Sequence, residues 1–243
     1  MEYGIQMYSL RDITGSDMDR ALRAVAEMGY KHVEFAGFMG IPAREIKAML
    51  DNYGLYVSGT HTGLGEVTDH FAETVEYHHI IGNENIIIPG HDLSDREKIL
   101  AFCEAVNAYQ PKLAAEGIQF HYHNHSHEFI PQADGTLIHA ELEHRTDILF
   151  EIDTYWAYNA KLDPVMVMER LKDRIRVIHL KDGDANGRGY SLGSGTAPVA
   201  AVRAKAIELG IKMVVESETL DPDGVSEVKR CIDYLHTLDN KES

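Results

Sequence analysis

The chain has few basic residues, few cysteines and no long apolar run, and each shortage narrows what the protein can be. Its 243 residues include 23 Lys+Arg against 39 Asp+Glu, a formal net charge of −16. Such a surface repels phosphate backbones and anionic membranes, so we expect no nucleic-acid and no membrane partner. No uninterrupted apolar stretch approaches the roughly 18 residues that a transmembrane helix needs.

Only two cysteines are present, Cys103 and Cys231, and they form no C-x-x-C pair. Both lie in helix-like stretches, so we interpret them as buried or semi-buried free thiols in a reducing compartment. The N-terminal residues lack a basic segment followed by an apolar run, so we expect no signal peptide. These features together predict a cytoplasmic protein.

Strand-like and helix-like segments alternate along the chain, with short connections and no linker or low-complexity segment. This alternation predicts an α/β fold with a parallel sheet. Eight strand–helix pairs in a chain close to the roughly 250 residues of a (β/α)8 barrel predict that barrel, a TIM barrel, as a single domain over residues 1–243.

Three local details of this assignment depend on the structure. One helix is predicted from about residue 66 to residue 81. Another is predicted from residue 95 to residue 116, and Pro111 should either kink it or start a second helix. Residues 183–195 are expected to form a glycine-rich loop after the seventh predicted strand.

The histidines are unusually many, 14 in all, and four of them alternate in one stretch. In a β-strand this spacing places His121, His123, His125 and His127 on one side of the backbone. Imidazoles on the inward face of a strand indicate a metal site or a proton-transfer site. A histidine-rich surface edge is the alternative.

Metal-binding or titratable groups recur at the carboxyl ends of the predicted strands, where barrels of this kind place their active sites. Two histidines with two carboxylates are typical of a catalytic metal site, and Mn²⁺, Zn²⁺, Co²⁺ or Mg²⁺ would suit them. Unrelated caps and loop residues are the alternative explanation. The groups are Glu34, His61, His123, His125, Glu151, Asp153, His179, Lys181, Asp182, Glu216 and Glu218.

Five segments, taken in order, resemble a known family over essentially the whole chain. They are Gly4-Ile5-Gln6-Met7-Tyr8-Ser9-Leu10, Tyr122-His123-Asn124-His125, Glu151-Ile152-Asp153-Thr154-Tyr155-Trp156, His179-Leu180-Lys181-Asp182 and Val215-Glu216. Each alone is a weak indication, but together they are similar to the xylose-isomerase-like barrel superfamily of sugar isomerases, epimerases, inosose dehydratases and relatives.

The resemblance implies one divalent metal bound by four side chains from strands five to eight. Carried over by position, the ligands are His123, Asp153, His179 and Glu216. The ketohexose epimerases of the superfamily have a glutamate where this chain has His123, and a histidine where it has Trp156. Their two-glutamate proton shuttle therefore does not transfer directly.

The expected reaction is isomerisation or epimerisation of a small sugar or sugar derivative through an enediolate, with the metal polarising a carbonyl or hydroxyl. His125, Lys181 and Glu218 are the candidate groups for moving the proton. The candidate substrate-binding residues, each with a barrel-core or packing role as the alternative, are Gln6, Glu34, His61 and Trp156.

Other functions stay open at this point. A metal-dependent lyase or dehydratase acting on a keto-sugar, keto-inositol or 3-keto-glycoside would use the same enediolate. A non-catalytic sugar-binding protein is less favoured, and the acidic charge disfavours an endonuclease. Gly193-Ser194-Gly195-Thr196 weakly suggests a phosphate-binding loop. Relatives in this superfamily are often homo-oligomers, but no residue here requires it.

Overall fold

Eight parallel strands close into a barrel in the computed structural model, which describes residues 1–242. Each barrel strand pairs with the next along the chain, and the last pairs with the first. The predicted (β/α)8 barrel is therefore confirmed. The barrel strands are β1 Gly4–Gln6, β2 His32–Phe35, β3 Tyr56–His61, β4 Asn85–Ile88, β5 Gln119–His123, β6 Leu149–Asp153, β7 Ile175–Leu180 and β10 Lys212–Val215.

Helices surround the barrel and follow the strands in the expected order. They are α1 Arg11–Thr14, α2 Met18–Met28, α3 Ala43–Tyr53, α4 Leu64–Asp69, α5 Phe71–Ile81, α6 Arg96–Ala115, α7 Ile138–Arg145, α8 Thr154–Asn159, α9 Pro164–Leu171, α10 Val199–Leu209 and α11 Gly224–Glu242. None of those within residues 1–242 is long and apolar enough to cross a membrane. Both cysteines are buried free thiols, as predicted.

Helix α2 shows how local sequence sets the element boundaries. The Asp17 side chain accepts a hydrogen bond from the backbone N–H of Arg20 and caps the first turn. Gly29 ends the helix at φ 100°, a left-handed conformation that favours glycine. Between these ends the helix buries Met18, Ala21, Leu22 and Val25 in the core between the helices and the barrel.

The structure corrects the predicted helix over residues 66–81, which is two helices. His70 separates α4 from α5 with φ −128° and ψ 36°, outside the helical region. The Thr74 hydroxyl donates to the carbonyl of Glu66, so a carbonyl at the end of α4 keeps a partner. Helix α6 runs continuously through Pro111, so no second helix starts there. Pro111 has no backbone N–H to donate to the helix, and α6 buries Ile99 and Leu113 on either side of it.

The predicted loop after β7 contains a two-stranded antiparallel hairpin, β8 Asp182–Gly183 and β9 Gly189–Tyr190. The short helix α8, directly after β6, was also not predicted. Its N-cap is Asp153, whose side chain accepts from the backbone N–H of Trp156. The end of β6 is thereby fixed by the same residue that was predicted to bind metal.

Inside the barrel, an apolar cluster of Ile87, Val177 and Val214 lies one alternation below the polar strand ends. Strand pairing shifts register immediately before Glu34 and immediately before Glu151. Bulges of this kind re-aim side chains and occur next to active sites. Here they precede two fully buried glutamates of the polar interior.

Candidate metal centre and active site

Four predicted metal ligands converge at the carboxyl ends of their strands. One ligand atom from each of His123, Asp153, His179 and Glu216 lies within 4.8 Å of the others, and all four residues are buried. Two nitrogen and two carboxylate donors form a set that divalent transition metals accept, with coordination positions left for water or substrate. The four residues are therefore suitably placed to hold one cation.

Asp153 has one oxygen occupied and one free. Its Oδ1 accepts the Trp156 backbone N–H at 2.9 Å, while Oδ2 is buried without a hydrogen-bond partner. Burial raises the pKa of Asp153 to about 6, against the attraction of Lys181. A buried carboxylate oxygen with no donor is costly. A bound cation would remove that cost, so Oδ2 fits a metal ligand.

Buried carboxylates hold the two ligand histidines by one nitrogen each. His123 Nδ1 lies 3.0 Å from Glu151 Oε2, and His179 Nε2 lies 2.7 Å from Glu34 Oε1. Because carboxylates accept hydrogen bonds, these nitrogens carry the protons. The second nitrogen of each ring, Nε2 of His123 and Nδ1 of His179, is the one that would bind a metal. Nδ1 of His179 is 3.3 Å from Glu216 Oε2, on the side of the other ligands.

Below the four ligands lies a polar layer formed by Gln6, Glu34, His61 and Glu151. Gln6 Nε2 donates to Glu34 Oε1 at 2.6 Å, and His61 Nε2 is 2.9 Å from Glu151 Oε2 and 3.2 Å from Glu34 Oε1. Burial alone would lower the pKa of His61, but the two glutamates outweigh it and raise it to about 9. His61 therefore carries a proton and offsets part of the carboxylate charge.

This arrangement places two predicted substrate-binding residues away from the mouth. Gln6 and Glu34 have no exposed surface and hydrogen-bond to each other beneath the ligands. His61, Glu151, His123 and His179 also form a second group whose ligand atoms lie within 4.8 Å. In that group the nitrogens facing Glu34 and Glu151 act as hydrogen-bond donors, so we interpret it as support for the metal ligands.

Lys181 is a buried cation in the mouth. Its Nζ lies 2.6 Å from Glu218 Oε1, 3.1 Å from Glu216 Oε2 and 3.7 Å from Asp153 Oδ2, and 4.8 Å from the centroid of Trp156. Burial would lower its pKa, but these three carboxylates outweigh burial and raise it above the usual range. Lys181 is therefore protonated at neutral pH. The structure thus brings two of the three predicted catalytic residues, Lys181 and Glu218, into direct contact.

The third predicted catalytic residue, His125, lies beside Trp156 with ring centroids 6.0 Å apart, and 5.2 Å from His123. His125 Nδ1 and Trp156 Nε1 are both buried atoms without a hydrogen-bond partner. Burial lowers the pKa of His125, so its imidazole is neutral at neutral pH. Buried polar atoms normally have hydrogen-bond partners, so these two unpartnered atoms mark the wall as a candidate for substrate contacts.

Sequence reasoning missed the residues that fix this wall. The buried Glu128 accepts from the Tyr122 hydroxyl at 2.9 Å and from the His125 backbone N–H at 2.8 Å. The Asn124 side chain accepts from the Asp153 backbone N–H at 3.1 Å, which ties the ends of β5 and β6 together. The sequence did offer one indication of their role, because Asn124 and Glu128 are polar residues that lie between and directly after the alternating histidines.

The glycine-rich loop after β7 is organised by Asp182. Its carboxylate accepts the backbone N–H groups of Gly193 at 2.9 Å, Gly195 at 3.0 Å and Ala197 at 3.1 Å. These amides are therefore already occupied by a carboxylate of the chain. They do not form the free cradle that a phosphate group would need.

Comparison with known proteins gives the family. The model described as "Xylose isomerase-like TIM barrel" matches residues 22–240. No curated protein matches the chain.

Among solved structures, two of a sugar phosphate isomerase/epimerase from Parabacteroides distasonis are 26% and 27% identical to the chain, each with a TM-score of 0.84. They cover 96% of this chain, which in turn covers 93% and 97% of theirs. The probable 3-DHS dehydratase from Bacillus anthracis, 14% identical, covers 97% of this chain and is covered over 99% of its own length. Its TM-score of 0.77 shows the shared fold alone.

The family match and the Parabacteroides structures confirm two predictions made from the sequence, the resemblance to this superfamily and an enzyme of the isomerase/epimerase type. The chain belongs to the xylose isomerase-like TIM barrel family.

Proposed function

We propose that the protein is a metal-dependent isomerase or epimerase of a small sugar or sugar derivative. The observation that carries the proposal is the convergence of His123, Asp153, His179 and Glu216, with Oδ2 of Asp153, which has no hydrogen-bond partner, among them. The names of the Parabacteroides distasonis structures, sugar phosphate isomerase/epimerase, support the same reaction class.

The four residues would hold one divalent cation, Mn²⁺, Zn²⁺, Co²⁺ or Mg²⁺. Bound there, the cation would supply Lewis-acid polarisation of a substrate carbonyl or hydroxyl. Glu151 and Glu34 would each hold one nitrogen of a ligand histidine, so that the other nitrogen of the His123 or His179 ring faces the cation. The chain's own contribution is therefore a fixed donor set in a buried site.

Lys181 would stabilise the negative charge that develops on a substrate oxygen. Its protonated amine is already desolvated and held by Glu218 and Glu216, so it needs little reorganisation when the charge appears. Because its pKa is raised, Lys181 does not act as the base. Glu218, at the mouth, keeps the amine in position.

His125 is the candidate base. Its imidazole is neutral, its Nδ1 has no partner, and it lies next to the ligand His123. It would take a proton from a carbon next to the carbonyl and return it to a neighbouring atom. Trp156 Nε1 would donate to a substrate hydroxyl on the same side, which orients the sugar.

A lyase or dehydratase acting on a keto-sugar, keto-inositol or 3-keto-glycoside is the second candidate, and the state of Lys181 favours it. The protonated amine beside the proposed cation can stabilise the negative charge on a departing oxygen, as elimination requires, although its raised pKa makes it a poor proton donor. Both candidates pass through the same enediolate. They differ in whether an oxygen leaves the substrate.

The test is incubation of the protein with Mn²⁺ and a panel of neutral keto-sugars in D₂O, followed by NMR. We expect deuterium at a carbon next to the carbonyl, together with an isomer or epimer. An unsaturated product would identify the lyase, and absence of both exchange and product across the panel would contradict the proposal. His125→Asn should lose exchange while it keeps metal binding. The cytoplasmic location and a homo-oligomeric state stay predictions.

A further inference from the structure

A cavity of about 750 Å³ opens beside the proposed active site. It lies between the loop after β2 and the helices α4 and α5, and its walls include Phe38, Ile41, Pro42, His61 and Tyr77. Its volume is within the roughly 300–1,000 Å³ of small-molecule sites. None of the functions proposed above for single residues uses this space.

His61 is shared between the cavity and the polar layer below the metal ligands. Its ring lines the cavity, while its Nε2 contacts Glu151 and its centroid is 5.0 Å from that of His123. A molecule in the cavity is therefore separated from a proposed metal ligand by one imidazole ring. A separation of one ring suits a group that is attached to a sugar bound over the strand ends.

The cavity wall is rigid and presents aromatic surface. Phe38 packs on Tyr77 with centroids 4.2 Å apart, and the Tyr77 hydroxyl donates to the carbonyl of Ile41 at 2.7 Å. These contacts hold the wall in place without a ligand. Aromatic side chains bury apolar ring faces favourably, so the wall fits a ring with an apolar face.

The charge of the cavity selects against anions. Glu66 and Glu73 line it, and none of its lining residues is lysine or arginine. Bringing a phosphate or carboxylate between these glutamates would place like charges together, and the His61 ring on the wall already holds its Nε2 against Glu151 and Glu34. An uncharged ring meets no such cost.

We propose that this cavity binds an uncharged ring adjacent to the reacting sugar, so that the substrate is a two-ring compound such as a glycoside. This inference rests on the proposed function for the position of the reacting sugar. It specifies a substrate class that the strand-end residues alone do not distinguish.

The test measures binding, which needs no turnover. Phenyl β-D-glucopyranoside is titrated into the metal-loaded protein by calorimetry, and saturation-transfer NMR shows which ring contacts the protein. Ile41→Trp fills the cavity, and Ile130→Trp, at the rim of a separate cavity, is the matched control. We expect Ile41→Trp to weaken binding by about tenfold or more and Ile130→Trp to leave it unchanged.

A 4-carboxyphenyl glucoside tests the charge argument, because we expect it to bind about tenfold more weakly than the phenyl compound. Absence of binding by the wild type, equal affinity in Ile41→Trp, or tighter binding of the carboxylate would each overturn the inference. Turnover of a two-ring keto-glycoside that Ile41→Trp does not alter would also overturn it and would leave the proposed function standing. If the wild type binds the glycoside but shows no deuterium exchange in the assay with Mn²⁺ and D₂O, only the proposed function is contradicted.

Discussion

Replacing Glu151 with glutamine should weaken metal binding although this residue is not a proposed ligand. Glu151 Oε2 faces three imidazole nitrogens, Nε2 of His61 at 2.9 Å, Nδ1 of His123 at 3.0 Å and Nε2 of His179 at 3.3 Å. The glutamine side chain has nearly the same shape as glutamate, but it is uncharged. Its NH₂ group could also face the imidazole N–H groups that now donate to Glu151. The ligand rings then lose the contact that selects their tautomers and orientation.

Partners of this kind are worth about 10- to 100-fold in metal affinity. We therefore expect the dissociation constant of Glu151→Gln for Mn²⁺ to rise by about that factor, which corresponds to ~1.4–2.7 kcal/mol. Isothermal titration calorimetry on metal-depleted protein measures it directly. Thermal unfolding of the metal-free proteins would show whether the variant still folds.

Glu128→Gln is a matched control, because Glu128 is equally buried but accepts from Tyr122 and the His125 backbone. It should bind Mn²⁺ as the wild type does. If Glu151→Gln also keeps wild-type affinity, Glu151 does not orient the ligands. If the wild type binds two equivalents and Glu151→Gln loses one, Glu151 is itself a ligand and our interpretation of the lower layer is wrong.

Three further outcomes are expected. Lys181→Met should reduce turnover by about 100- to 1,000-fold, as loss of an oxyanion donor does, while calorimetry shows Mn²⁺ still bound; unchanged turnover would remove Lys181 from the mechanism. Ile87→Ala should lower the free energy of unfolding by about 2–5 kcal/mol in denaturant titrations, because it opens a void inside the barrel; a change below about 1 kcal/mol would show that the site collapses. Burial would raise the pKa of Glu143, but hydrogen bonds from His139 and Arg170 outweigh it and lower the pKa from 4.5 to about 2. The resulting stabilisation is complete above about pH 4.5 and disappears as pH falls through about 2, so the stability difference between wild type and Glu143→Gln should shrink over that range; a difference that is constant with pH would contradict it.

The barrel and the positions of the strand ends were predictable because their causes are local. Alternation along each strand decides which side chains point inward, and eight strand–helix repeats decide closure. His123 and His179 could therefore be placed at the same rim from the sequence. The helix break at His70 was not predictable, since no glycine or proline marks it.

The depth of each polar side chain could not be predicted from the sequence. Gln6 and Glu34 are at strand ends like the ligands, yet the closed barrel places them beneath His179, a residue 145 positions from Glu34 along the chain. The register shift before Glu34 also has no sequence indication except the glycine opposite it. A Cβ at Gly59 would lie 3.0 Å from Glu34 Oε2 and 2.6 Å from Ile87.

The most direct test of the central proposal is an anomalous difference map from crystals grown with Mn²⁺. It should show one peak within coordination distance of His123, Asp153, His179 and Glu216, with Nε2 of His123 and Nδ1 of His179 as the nitrogen donors. A peak bound by His61 and Glu151 instead, or no peak at the strand ends at saturating Mn²⁺, would contradict it.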